Sequence, residues 1–186
     1  MPEISLNILD VTENSVRAHA SLIRITVAID EKADTLSVTI ADNGCGMDEA
    51  QTAQVTDPFF TTRTTRRVGL GIPFLKQAAE TTGGSFSIRS RLGEGTEVCA
   101  VFGLRSIDRM PMGDLNGVIR DLIVYHPDID FCYTYQFNDQ SFTLDTREFR
   151  KILGDVPLNT PEVADYIASY LSENQEETTG GSEISI

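Results

Sequence analysis

Apolar and polar positions follow readable periods along most of the chain. Leu22 to Ile29 and Leu36 to Ala41 alternate with period two, the pattern of half-buried strands, and Asp30 to Asp34 reads as the turn between them. Upstream, Ile4, Ile8, Leu9, Val11 and Val16 recur at roughly helical spacing, which predicts a helix over 2–19 with Pro2 in its first turn. Downstream, the pattern predicts a short helix at 48–54 and a longer one at 70–82 closed by Gly83-Gly84. Strands follow at 85–91 and 97–104, separated by a turn at Gly93-Glu-Gly-Thr96. This order predicts an α+β fold: a two-layer sandwich of a mixed, mainly antiparallel sheet with helices over one face.

The character changes after Arg105. Met110-Pro-Met-Gly113 marks a break, followed by a helix at 114–124, a hairpin at 131–144 turning at Asn138-Asp139, and helices at 146–153 and 160–172. The polar run from Glu173 predicts a disordered acidic tail. The expected organisation is therefore a domain over 1–104, a small α+β extension over 105–172 and a tail over 173–186. The hairpin carries Phe131, Tyr133, Tyr135 and Phe137 at alternate positions, which suits either a sheet core or a partner surface.

Charge narrows the chemistry. The net charge is −13, divided as −4 over residues 1–103 and −9 over 104–186, which argues against binding a nucleic-acid backbone. The one dense basic group, Arg63, Arg66 and Arg67, suits a small anionic ligand better than a polymer. No apolar run approaches the roughly 18 residues of a membrane span. The N-terminus lacks the basic and apolar segments of a signal peptide, so the expected location is the cytoplasm. Cys45, Cys99 and Cys132 form no Cys-x-x-Cys pair, and the expectation is reduced, mostly buried thiols rather than a zinc site.

Three stretches carry candidate chemistry. On the first helix, Asn7, Asp10, Asn14 and Arg17 fall on one stripe, and two Asn residues there are unusual for a plain solvent face. The strand ending at Ala41 delivers Asp42-Asn-Gly-Cys-Gly-Met47: a carboxylate that can accept from an exocyclic amine, then two glycines that let a flat ligand approach. The same residues also make an ordinary turn. The third stretch, Asp57 to Ile72, contains Phe59, Phe60, four threonines and three arginines, and ends in Gly69-Leu-Gly71 at the start of a helix. Free N–H groups and the positive dipole end suit phosphate there, although neither a Walker A loop nor a dinucleotide fingerprint is present.

Together these motifs resemble, over residues 3–103, the ATP-binding domain shared by gyrase, the heat-shock chaperone ATPase, histidine kinases and the mismatch-repair ATPase. Asp10-Val-Thr-Glu-Asn14-Ser-Val-Arg17 resembles the family's N box and Asp42-x-Gly44-x-Gly46 its adenine box. Asp57-Pro-Phe-Phe60 resembles the phenylalanine box of histidine kinases, Gly69-Leu-Gly71 the second glycine box, and Gly93-Glu-Gly95-Thr96 the third. Pro58-Phe-Phe-Thr-Thr62 and Gly69-Leu-Gly-Ile72 are closest to the histidine-kinase branch.

The resemblance implies a Bergerat-type fold and an adenine nucleotide with Mg²⁺. Asn14 would ligate the metal, Arg17 (often Lys in kinases) would touch a phosphate, and Asp42 would read adenine with Thr96 in support. Gly44, Gly46 and Met47 would border the base. The segment 61–68, with Thr61, Thr62, Arg63 and Arg67, would close as a lid over the triphosphate, Phe60 of the phenylalanine box would join the ATP site, and Gly69, Leu70, Gly71 and Ile72 would form the phosphate end. Asp10 stands where hydrolysing members usually carry Glu as general base, so it is the candidate base, or else an outer-shell carboxylate. The expected protein is a stand-alone ATPase, or a kinase acting on a partner protein. No phosphoacceptor-histidine domain is expected, because neither His19 nor His126 has a His-Glu-x-x-x-Pro setting. The alternative is a non-catalytic ATP-binding module that signals through its lid and C-terminal region.

Overall fold

The computed structural model describes residues 2–57, 59 and 70–181. Its elements are α1 (Ile4–Arg17), β1 (Leu22–Asp30), β2 (Thr35–Asp42), α2 (Glu49–Val55), α3 (Gly71–Thr81), β3 (Ser85–Arg91), β4 (Gly95–Gly103), α4 (Leu115–Tyr125), β5 (Asp130–Phe137), β6 (Gln140–Asp145), α5 (Thr146–Leu153) and α6 (Pro161–Thr179). The six strands form one sheet in the order β3-β4-β2-β1-β5-β6. Every pairing is antiparallel except β1 with β5. The architecture is the expected α+β sandwich.

Strand alternation places the core. Ile23, Ile25, Val27 and Ile29 of β1, Leu36, Val38 and Ile40 of β2, and Val98, Ala100 and Phe102 of β4 are all buried on the face that meets the helices. The opposite face carries Thr26, Ser37, Thr39, Cys99, Cys132 and Thr134, small side chains that are only half-buried. The expectation of mostly buried thiols is therefore corrected. Cys99 and Cys132 fall on the outward phase of their strands, and Cys45 is exposed in a loop; all three are free.

The extension continues this sheet rather than forming a layer of its own. Phe131, Tyr133, Tyr135 and Phe137 pair in register with Ile23, Ile25, Val27 and Ile29 and are buried, so the alternating aromatics are core and not a partner surface. Asn138, at a left-handed φ of 53°, pins the hairpin tip to the β1–β2 turn: its Oδ1 accepts from the Glu31 N–H and its Nδ2 donates to Glu31 Oε1, both at 2.9 Å. The carbonyls of Pro111 and Met112 accept from the N–H groups of Ile4 and Ser5, which would otherwise be unpaired at the start of α1.

The predicted disorder from Glu173 is corrected over the described residues, since α6 runs to Thr179 and closes at Gly180 (φ 61°); the rest of that expected tail, 182–186, lies outside them. Its polar residues are used inward. Gln175 accepts from Asn116 Nδ2 of α4 at 2.6 Å, and Thr178 is buried.

Among the described residues, Tyr133 is one of the largest fully buried side chains with a polar group that lacks a partner. The Tyr133 hydroxyl is buried with no hydrogen-bond partner among the described residues, and burial pushes it well above the ordinary tyrosine range. Removing an unpaired buried hydroxyl relieves a desolvation cost, so Tyr133→Phe is expected to be neutral or to stabilise by about 1 kcal/mol. That corresponds to roughly 2–4 °C in melting temperature for a chain of this size. A drop of several degrees would mean that the hydroxyl has a partner after all.

Candidate functional site

The sheet changes chemistry at one end. The register aligns Phe131, Ile23, Asp42, Thr96 and Ser90 in a single row across β5, β1, β2, β4 and β3. The next row inward, Tyr133, Ile25, Ile40, Val98 and Ile88, is entirely core-facing. Over β2, β4 and β3, then, the inner face turns polar in one step, and a carboxylate and two hydroxyls replace the apolar row. α1 passes above this end and presents Val11, Asn14, Ser15 and Ala18. The space between is a cavity of about 210 Å³, closed at the sides by Met47, Val55 and Ile72.

Asp42 is held on both oxygens. Ser15 Oγ donates to Oδ2 at 2.6 Å and the Gly44 N–H donates to Oδ1 at 2.9 Å. Each carboxylate oxygen keeps a further lone pair for a ligand. Thr96 Oγ1 lies 2.7 Å from Ser90 Oγ, which also accepts from the Met47 N–H at 2.8 Å. The protein's own packing requires the loop glycines. A side chain at Gly44 would press on Ala18, whose Cβ would be 2.8 Å away, and Gly46 has φ +68° beside the Arg91 carbonyl.

The polar stripe of α1 runs along the cavity mouth. Asn14 Oδ1 accepts from Arg17 Nη1 at 3.2 Å. Asp10, one turn earlier, packs against the start of α3, where a Cβ at Gly71 would come within 3.0 Å of Asp10 Cβ. Although the residue is exposed, partial burial of its carboxyl raises it above the ordinary Asp value, Glu13 adds to the rise, and Arg17 opposes it. Among the described residues no side chain caps the first turn of α3, whose N–H groups start beside Asp10. Glu13 itself is engaged by His126 of the extension, Nε2 to Oε1 at 2.9 Å.

Of the residues singled out from the sequence, Asn14, Arg17, Asp42, Gly46, Met47, Ile72 and Thr96 line this one cavity. Gly44 buttresses Asp42, and Asp10 and Gly71 meet at the mouth. Leu70 is partly exposed and outside the lining. Pro58, Phe60, Thr61, Thr62, Arg63, Arg66, Arg67 and Gly69 lie outside the described residues. Sequence reasoning missed Ser15 and Ser90, which hold Asp42 and Thr96, and the apolar wall of Val11, Ile40, Val55 and Val98. Only the strand register, which sets Ser90 directly opposite Thr96, and the placement of α1 over β2 reveal the two serines.

Among the described residues no group of three His, Cys, Asp or Glu side chains could hold a metal by itself. The donors present, one amide oxygen at Asn14 and a carboxyl at Asp10, fit a Mg²⁺ carried mainly by nucleotide phosphates and water.

Residues 3–106 match the family described as histidine kinase-, DNA gyrase B-, and HSP90-like ATPase. The chain belongs to that family. It is 39% identical over 105 residues to the sensor protein kinase FleS of Pseudomonas aeruginosa, covering 56% of this chain and 25% of that protein. It is 33% identical over 103 residues to a putative sensor protein of Shewanella frigidimarina, covering 54% and 16%. The chain thus spans a quarter or less of these relatives' length. Among solved structures, the N-terminal domain of a DNA repair protein superposes with a TM-score of 0.58 at 14% identity, covering 78% of this chain and 53% of that one. That likeness is one of fold, and it reaches beyond the family match. No helix among the described residues is long and apolar enough to cross a membrane.

Proposed function

We propose that the chain binds Mg²⁺-ATP with adenine in the cavity over Asp42 and the phosphates between Asn14, Arg17 and the start of α3, and that it turns ATP over, as an ATPase or as a kinase acting on a partner protein. The observation that carries this reading is the row Asp42–Thr96–Ser90, where a mainly apolar cavity ends in a doubly anchored carboxylate. An apolar slot with one fixed acceptor suits a flat base bearing an exocyclic amine. Asn14 would hold the Mg²⁺, which when bound would offset the charge of the phosphates. Arg17 would leave Asn14 Oδ1 for a phosphate oxygen, which frees that oxygen for the metal.

Asp10 is the candidate base. It sits between the polar stripe and α3, at the phosphate end, and a raised carboxyl is a better proton acceptor than an ordinary one. Ionised, it would take a proton from the attacking water or partner hydroxyl as the bond from the γ-phosphorus to the bridging oxygen of ADP breaks. The sign follows: turnover rises as pH passes upward through the Asp10 value, so the acid limb lies above 3.8, the ordinary value. Asp10→Asn is expected to lower phosphate release or partner phosphorylation by about 10²-fold and to abolish that limb. ATP binding, followed by thermal shift, should survive the change. If turnover is the same in both proteins, Asp10 is not the base.

One observation favours the alternative of a regulatory module with little turnover. The His126–Glu13 contact joins the extension to α1 one residue from Asn14, so occupancy of the site could reach a surface formed by residues 105–181. Binding with neither phosphate release nor phosphoryl transfer to a partner protein would select this reading.

A further inference from the structure

The geometry points to Ser90 as a positioning residue that fixes the hydroxyl polarity of Thr96 and thereby makes the base site selective for a 6-amino purine over a 6-oxo purine. This inference rests on the nucleotide reading given above. Ser90 is half-buried on β3, does not line the cavity, and lies behind Thr96. Its Oγ has three neighbours at hydrogen-bonding distance: the Met47 N–H at 2.8 Å, the Gly95 carbonyl at 3.0 Å and Thr96 Oγ1 at 2.7 Å.

A hydroxyl has one proton and two lone pairs. The Met47 N–H can only donate, so it takes one lone pair of Ser90. The Gly95 carbonyl can only accept, so it takes the Ser90 proton. Thr96 is left with one role, donating its own proton to the second lone pair of Ser90. No other assignment makes all three bonds.

The consequence reaches the ligand. With its proton turned away toward β3, Thr96 offers the cavity lone pairs only. Asp42 beside it, already accepting from Ser15 and Gly44, is likewise an acceptor. The polar end of the site therefore accepts and does not donate. An adenine 6-amino group supplies two N–H donors to such a floor. A hypoxanthine O6 at the same place would face a carboxylate oxygen and a threonine lone pair, with no proton between them.

Removing the Ser90 hydroxyl releases the Thr96 proton to rotate into the cavity, where it can donate to O6. The test compares Kd values for Mg²⁺-ATP and Mg²⁺-ITP by calorimetry in four proteins, with nucleotide-free melting temperatures as the check on folding. Wild type should prefer ATP. Ser90→Ala should lower the ATP-to-ITP preference about tenfold, the worth of one neutral hydrogen bond. Thr96→Val should weaken ATP binding by removing one acceptor, and it leaves no hydroxyl that could donate to O6. The double variant Ser90→Ala/Thr96→Val should then match Thr96→Val alone, because no hydroxyl is left for Ser90 to orient, whereas a general loosening of the loop would lower the ratio further. If Ser90→Ala fails to fold, Ser90→Thr, which keeps the relay, should hold the wild-type ratio and supports the inference in its place. A preference in Ser90→Ala within twofold of wild type overturns the inference, as does a Ser90→Ala effect that is equally large in the Thr96→Val background, or a loss that appears in Ser90→Thr. Wild type that binds neither nucleotide would sink the nucleotide reading, and this inference with it.

Discussion

Asp42→Asn should abolish the rise in melting temperature on adding Mg²⁺-ATP while leaving the nucleotide-free protein close to wild type in stability. The two halves of this expectation have separate causes. In the free protein Asp42 makes two hydrogen bonds, from Ser15 Oγ and from the Gly44 N–H. An amide can keep both: its oxygen accepts from Gly44, and its NH₂ donates to Ser15 Oγ, whose hydroxyl simply reverses role. The packing is isosteric, so little stability is lost. For the ligand the exchange is unfavourable. A charge-assisted acceptor becomes a donor that faces the donor amine of adenine, and a bond worth about 1.5–3 kcal/mol turns into an unpaired contact. The combined loss of about 3–4 kcal/mol is several hundredfold in Kd. At fixed ATP this removes nearly all the linkage stabilisation. Undiminished ATP stabilisation in Asp42→Asn would show that adenine lies elsewhere, even if the chain binds nucleotide.

Much of this arrangement was legible in the chain, and the reasons divide by residue. The alternation of Ile23 to Ile29 and Leu36 to Ile40 states both the strands and their buried face, and it carries Asp42 onto that face by parity alone. Asn14 could be recognised because an amide on an exposed stripe is out of place. Ser15 and Ser90 were silent, since a serine beside a hydrophobic position is equally at home as filler. Their roles appear only when register sets Ser90 opposite Thr96 and α1 is laid over β2.

Long-range pairing was silent for another reason. The alternating aromatics of β5 would suit any sheet edge, and nothing local says that they run parallel to β1, about a hundred residues earlier. The end of α6 misled because Asn174, Gln175 and Thr178 look solvated. Their polar groups are in fact taken up by Tyr170, Asn116 and Asn174.

The largest stability effect is expected where the adenine loop has no freedom to yield. Gly46 holds φ +68°, and a Cβ there would fall on the Arg91 carbonyl oxygen. Left-handed backbone by itself costs a non-glycine residue about 1–2 kcal/mol. Relaxing away from Arg91 would require the loop to shift, and it is tied on every side. The Cys45 N–H donates to the Ala18 carbonyl at 2.9 Å, the Cys45 carbonyl accepts from Gly93 at 2.7 Å, and the Met47 N–H donates to Ser90. Strain and at least one broken bond together put Gly46→Ala at about 3–5 kcal/mol, or a fall of roughly 10 °C in melting temperature. Gly93 provides the control within the same turn region. Its φ of +78° is as left-handed, but a Cβ there meets nothing within 4 Å. Gly93→Ala should therefore show the backbone cost alone, about 1–2 kcal/mol. Urea denaturation of the two variants, with unchanged m, separates the terms. If Gly46→Ala proves no worse than Gly93→Ala, the loop can move away from Arg91. In that case Met47 and Ser90 are not held in register with Thr96, and the acceptor floor of the site is less rigid than the hydrogen bonds imply.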